Sequence, residues 1–115
     1  MCIRDRVFIA DVELIEQVII NLLKNAIEAA REVEQPTIEI RAIKTNEGKT
    51  FIEVQDNGKG IPQDVLDKIF VPFFTTKKEG SGIGLSLSRQ IMRLHKGNIE
   101  VNSVMGQGTV FTLSL

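Results

Sequence analysis

A chain of 115 residues, 43% hydrophobic and 25% charged, fits one soluble globular domain with a modest core. Its 14 basic and 15 acidic residues leave a net charge of -1, which argues against a nucleic-acid or anionic-membrane surface. Cys2 is the single cysteine, no apolar run approaches the ~20 residues of a membrane span, and no signal peptide is visible, a set that suits a reducing, cytoplasmic setting.

The opening Met1-Cys2-Ile3-Arg4-Asp5-Arg6 has no periodicity and reads as a disordered or extraneous start, so the domain is expected over residues 7–115. From Asp11 to about Arg31, Ile15, Val18, Ile19, Leu22, Leu23, Ala26, Ile27 and Ala30 recur at three- and four-residue intervals, predicting an amphipathic helix with Asp11 as its N-cap. Thr37 to Ile43 and Thr50 to Gln55 alternate, are rich in β-branched residues and flank Asn46-Glu47-Gly48, which predicts a hairpin. Pro62 to Ile69 suits a short helix with Pro62 in its first turn. Residues Phe70 to Ser81 carry no period and read as a loop or lid. Helical spacing returns from Ile83 to Leu94, closed by Lys96-Gly97. Two strands, Asn98 to Val104 and Thr109 to Leu115, end the chain around Gly106-Gln107-Gly108.

Chemistry concentrates in three places. Asp56-Asn57-Gly58-Lys59-Gly60-Ile61-Pro62 sets an acidic side chain in a glycine turn, and Gly80-Ser81-Gly82-Ile83-Gly84-Leu85 sets alternating glycines before a helix, while Asn21 and Asn25 lie one turn apart on the first helix. The glycine spacing matches neither the dinucleotide fingerprint nor the P-loop. Glycines nevertheless let backbone amides approach an anion, and a helix start offers unpaired N–H groups to it. Each piece has an ordinary explanation beside the functional one: Asp-Asn-Gly is common turn chemistry, asparagines on a helix flank are unremarkable, and Thr109 fits a plain strand residue. His95, near a helix C-terminus and outside any phosphoacceptor context, reads as structural.

Taken in order, these motifs resemble the catalytic ATP-binding domain of bacterial sensor histidine kinases, within the superfamily that also holds gyrase, heat-shock protein 90 and mismatch-repair ATPases. Asn21-Leu22-Leu23-Lys24-Asn25-Ala26 resembles its N box, Asp56 to Gly60 its first glycine box, Phe70 to Lys77 its F box, Gly80 to Leu85 its second glycine box, and Gly106-Gln107-Gly108-Thr109 its last. The run Pro72-Phe73-Phe74-Thr75-Thr76-Lys77 is similar to the nitrogen-regulation type. The resemblance implies ATP and Mg2+ as cofactors: Asp56 accepting the adenine amine, Gly58 and Gly60 leaving room for base and ribose, Thr109 joining the adenine network through its hydroxyl, and Asn25, assisted by Asn21, holding magnesium. Ile61, Phe74, Lys77, Lys78, Gly80, Gly82, Gly84 and Leu85 are implied to complete the nucleotide site, with Asn21, Asn25 and Lys77 as catalytic residues. Hydrolysing relatives carry a glutamate where this chain has Asn21, and an amide takes no proton at neutral pH, which favours transfer over hydrolysis. Glu28 and Ala29 stand where many sensor kinases have Lys and Tyr; Lys77 or Lys78 is the expected replacement for that cation.

The expected fold is an α/β two-layer sandwich of the Bergerat type, a mixed and mostly antiparallel sheet with helices on one face. The implied function is phosphoryl transfer from Mg-ATP to a histidine on a separate dimerisation domain, and through it to a response regulator, by a domain that is itself monomeric and touches neither nucleic acid nor membrane. Two alternatives stay open: a serine kinase of anti-sigma-factor type, and a nonenzymatic ATP-gated interaction module.

Overall fold

The apolar spacing of the first third of the chain becomes helix α1 (Cys2–Ala30) in a computed structural model, which describes residues 2–72 and 84–115. Val18, Leu22, Ala26 and Ala30 are buried along one stripe, as positions three and four apart must be when they share a helix face. Two expectations shift. The helix opens at Cys2, so Asp11 sits inside it and not at its start, and Ile27 lies 55% exposed at the flank of the stripe. There it lines, with Ala30, Arg31, Pro36 and Ile38, a shallow cleft of about 300 Å³ between the end of α1 and the first strand.

Strands β1 (Ile38–Lys44) and β2 (Thr50–Asp56) form the expected hairpin, and β3 (Asn98–Val104) and β4 (Gly108–Ser114) a second one. They assemble in the order β1-β2-β4-β3, and all three pairings are antiparallel. Helices α1 and α3 (Gly84–Leu94) pack on one face of this sheet. The register lines up three transverse rows on the helix-facing side: Ala42, Ile52, Leu113 and Ile99; then Ile40, Val54, Phe111 and Val101; then Ile38, Asp56, Thr109 and Ser103. Leu22 and Val18 of α1, Met92 and Ile91 of α3, and Ile69 fill the core against the first two rows. Completely buried Leu22, Met92 and Leu113 each contribute about 1.5–3 kcal/mol of transfer free energy.

The segment after Pro62 is more abbreviated than its apolar spacing suggests. Helix α2 covers Gln63–Leu66 alone, with Pro62 in an extended conformation at its N-cap position. Tight bonds from Lys68 N–H to the Val65 carbonyl and from Val71 N–H to the Lys68 carbonyl then carry the chain to Phe70 as turns. Ile69 is still buried, so the hydrophobic demand is met without a longer helix.

The end of α3 reassigns a glycine. Lys96, not Gly97, adopts the left-handed conformation (φ 59), and the Gly97 N–H reaches back to the Met92 carbonyl at 2.8 Å while Lys96 N–H bonds the Arg93 carbonyl at 3.0 Å. Gly97 is required for a different reason: a Cβ there would collide with the Ser114 carbonyl of β4. Gly48, in the first hairpin, is the opposite case, with φ +88 and open space around it. Gly97→Ala should therefore destabilise by overpacking, by about 1–3 kcal/mol, and Gly48→Ala through left-handed strain alone, by about 1–2 kcal/mol. Urea unfolding monitored by circular dichroism measures both, and an unperturbed Gly97→Ala midpoint would contradict the close approach of α3 and β4.

Candidate functional site

The helix-facing side of the sheet changes character at its last row. Two rows are apolar, and the third places Asp56, Thr109 and Ser103 side by side on β2, β4 and β3. Asp56 is only 4% exposed and Thr109 only 3%. Their burial is tolerated because partners are in place. The Gly58 N–H donates to Asp56 Oδ1 at 2.8 Å, and the Thr109 backbone N–H donates to the same carboxylate. Burial raises the Asp56 pKa above 3.8, and these two amide bonds pull it partly back.

The loop after Asp56 is threaded between α1 and the second hairpin. A Cβ on Gly58 would come within 2.5 Å of the Ala29 carbonyl oxygen at the end of α1, and one on Gly60 (φ +81) within 2.5 Å of the Val104 carbonyl oxygen. The room a Cβ would take at these glycines is thus filled by the chain's own backbone. Lys59 N–H points to the Ala29 carbonyl at 3.4 Å, and the Lys59 carbonyl accepts from Gly106 N–H at 2.9 Å. Asn57 closes the outer side: its Oδ1 accepts from Thr37 N–H at 2.8 Å and its Nδ2 donates to the Gln35 carbonyl at 2.8 Å.

On α1, Asn21 and Asn25 are both half-buried. Asn21 Nδ2 donates to the Gly84 carbonyl at 3.4 Å and to Ser88 Oγ at 3.3 Å, and Ser88 Oγ donates to the Gly84 carbonyl at 2.8 Å. The carbonyl accepts only, which fixes the amide's orientation. Asn21 therefore ties α1 to the first turn of α3. Gly84 has ordinary clearance, its nearest neighbour being Asn21 Cγ at 3.8 Å from a built Cβ, and Leu85 packs against the core. Ile61, half-buried, donates its N–H to Ser103 Oγ at 2.7 Å. Phe70 receives the Arg89 guanidinium over its ring, 5.3 Å from the centroid. Phe74, Lys77, Lys78, Gly80 and Gly82, and with them most of the expected lid, lie outside the described residues.

Thr109 meets its neighbours in two ways. Its hydroxyl lies 2.9 Å from Ser103 Oγ, and its contact with Asp56 runs through the backbone amide. Among the described residues no three His, Cys, Asp or Glu side chains form a metal-binding group, and no helix is long and apolar enough to cross a membrane. His95 Nδ1 donates to the Ile91 carbonyl at 2.7 Å, one turn back along α3.

Residues 10–115 match the family described as histidine kinase-, DNA gyrase B-, and HSP90-like ATPase. The chain belongs to this family. It is 43% identical over 106 residues to the sensor histidine kinase ZraS of Salmonella typhimurium, which covers 92% of this chain and 22% of ZraS. The nucleotide-free catalytic domain of histidine kinase ThkA superposes with a TM-score of 0.76 at 38% identity, covering 90% of this chain and 66% of that one. Full-length ShkA in complex with AMPPNP gives a TM-score of 0.76 at 25% identity, over 88% of this chain and 21% of that one. The chain thus spans about a fifth of the length of curated relatives such as ZraS.

In this ATPase-family domain, sequence reasoning missed Ser103 and Ser88. A signal for each was present: Ser103 falls in phase with apolar Ile99 and Val101, and Ser88 lies one turn before apolar Met92 on α3. A polar residue on a buried phase needs a partner, so both positions were marked as network members.

The buried carboxylate makes stability depend on pH. Asp56 holds its proton more tightly folded than unfolded, so protonation favours the fold; that contribution is complete below about 3.8 and is lost as pH rises through the raised folded value. Asp56→Asn has no proton to lose there. Urea midpoints across this acid window should show the native protein losing stability relative to the variant as pH rises, and a constant difference would exclude burial as the dominant influence on Asp56.

Proposed function

We propose that this domain binds Mg-ATP and donates the γ-phosphate to a histidine on a separate dimerisation domain of a sensor kinase acting on the cytoplasmic side, with a response regulator downstream. The observation that carries the reading is Asp56: an almost fully buried carboxylate held by two backbone amides, at the end of an apolar sheet face and beside the helix that carries Asn21 and Asn25. Likeness to sensor histidine kinases, and to full-length ShkA in complex with AMPPNP, supports it.

In this reading Asp56 accepts the exocyclic amine of adenine. Its anionic oxygens are oriented beforehand by Gly58 and Thr109, so little reorganisation is needed on binding. Magnesium supplies charge neutralisation at the phosphates, and the oxygen donor set fits a hard cation that keeps several waters: amide oxygens rather than a carboxylate cage. Asn25 holds it first. Asn21 has its Nδ2 engaged with α3, which leaves Oδ1 as the assisting ligand and makes the residue also a brace for the start of α3. Ile61, Leu85, Gly84 and the residues outside the described set, Phe74, Lys77, Lys78, Gly80 and Gly82, are proposed to complete the nucleotide site, with a lid lysine on the phosphates. In the transfer itself an imidazole nitrogen of the acceptor forms a P–N bond while the bond from the γ-phosphorus to the β,γ-bridging oxygen breaks, and ADP leaves. The domain contributes positioning and charge stabilisation, with no covalent chemistry of its own.

Calorimetric titration with Mg-ATP should show Asp56→Ala binding at least about tenfold more weakly, since an unpaired donor in a buried site costs about 1–3 kcal/mol. Mixed with a histidine-bearing helical hairpin from a sensor kinase of this family and γ-labelled ATP, the native domain should yield acid-labile label on the hairpin. Asn25→Ala should abolish that label and His95→Ala should leave it nearly intact. Label on His95, or acid-stable phosphoserine on the partner, would overturn the histidine-kinase reading.

A further inference from the structure

Ser103 sits at a junction whose hydrogen bonds have only one consistent direction. Three groups surround its hydroxyl: the Ile61 N–H at 2.7 Å, the Gly108 carbonyl at 3.0 Å and the Thr109 hydroxyl at 2.9 Å. A serine hydroxyl carries one proton and two lone pairs. The Gly108 carbonyl can only accept, so it takes the Ser103 proton. The Ile61 N–H can only donate, so it occupies one lone pair. What remains for Thr109 is the second lone pair, and the Thr109 hydroxyl must donate into it. The proton of Thr109 is thereby committed to Ser103, and its Oγ1 offers only lone pairs to any other neighbour.

That outcome matters because of the register. Thr109 stands between Ser103 and Asp56 in one row of the sheet, buried and on the same face as the carboxylate. Asp56, when ionised, also only accepts. Resting on the nucleotide-binding reading above, we infer that Ser103 is a specificity-positioning residue, which turns the Asp56–Thr109 wall into a row of acceptors and so selects a purine with an amino group at position 6 over one with a keto group. A 6-amino edge has hydrogens to give to such a wall. A 6-oxo edge presents an oxygen to acceptors that cannot reorient, and desolvated acceptors facing one another are strongly disfavoured. Ser103 touches no ligand in this scheme; it acts through the rotamer and proton direction of Thr109. Its link to Ile61 also ties the end of the first glycine turn to β3, so the base wall and that turn share one hydroxyl.

The test compares Mg-ATP with Mg-inosine triphosphate, which differ at position 6 and in the hydrogen that the 6-oxo base carries on N1, by calorimetric titration of the native chain, Ser103→Ala, Ser103→Thr and Thr109→Val. The native chain should prefer ATP. Ser103→Ala frees the Thr109 hydroxyl to donate and should narrow the ATP-to-inosine ratio about tenfold, equivalent to about 1.4 kcal/mol, chiefly by improving inosine triphosphate. Ser103→Thr retains the hydroxyl and should keep the native ratio. Thr109→Val removes the acceptor while leaving the bonds of Ser103 to Ile61 and Gly108 in place and should narrow the ratio by weakening ATP, which preserves the test if Ser103→Ala folds poorly. A merely structural Ser103 would weaken both nucleotides alike, and an unmoved ratio in Ser103→Ala and Thr109→Val overturns the inference. Failure of the native chain to bind either nucleotide would instead overturn the nucleotide reading itself.

Discussion

Antiparallel register is the constraint from which the rest of this domain follows. Because side chains alternate along each strand, pairing Val54 with Phe111 and Phe111 with Val101 forces the positions two residues on, Asp56, Thr109 and Ser103, onto the same buried face. A slip of one residue would turn Asp56 to the outer face and leave the core against β2 without Val54. Two apolar rows hold the helices. The third row, extending beyond them, is free to be polar, and its burial is compensated by hydrogen bonds within the row and to the adjoining turn.

Close backbone approach then fixes where that row lies relative to α1. Gly58 passes under the Ala29 carbonyl, Gly60 against Val104, and Gly108 against the Asp56 carbonyl, so three segments distant in sequence meet where any side chain would hold them apart. Asn57 adds side-chain bonds to Gln35 and Thr37, fastening the turn to the connection that leaves α1. The carboxylate is therefore placed by backbone contacts on several sides. In the proposed role of Asp56 as an acceptor, that rigidity is an advantage: amides already aimed at the carboxylate would not need reorganising on binding.

The helices are coupled by a smaller device of the same kind. Asn21, Ser88 and the Gly84 carbonyl form a closed set of hydrogen bonds that registers the start of α3 on α1. Together with the Schellman end at Lys96 and the contact of Gly97 with Ser114, it pins α3 at both termini. Arg89 of α3, stacked on the Phe70 ring, adds a further contact between α3 and the segment that follows α2.

Period and punctuation in the sequence were sufficient for the elements themselves. The spacing from Ile15 to Ala30, the alternation of the four strands and the glycine turns at Gly48 and Gly106 are local signals, read by local geometry, and the motif order was enough to indicate the family. Asp56 was legible too, as a carboxylate beside two glycines. What the sequence left undecided depends on partners far along the chain. Nothing near Gly97 announces that Ser114 lies against it, nothing near Gly58 announces Ala29, and the length of the helix after Pro62 was settled by how Ile69 reaches the core. The direction of the Thr109 proton is the clearest instance: it follows from three groups contributed by β3, β4 and the glycine turn, and a hydrogen bond acquires a direction only when all its competitors are in place. Local chemistry determined which residues were able to act; the tertiary structure decided which lone pairs and protons they have left to act with.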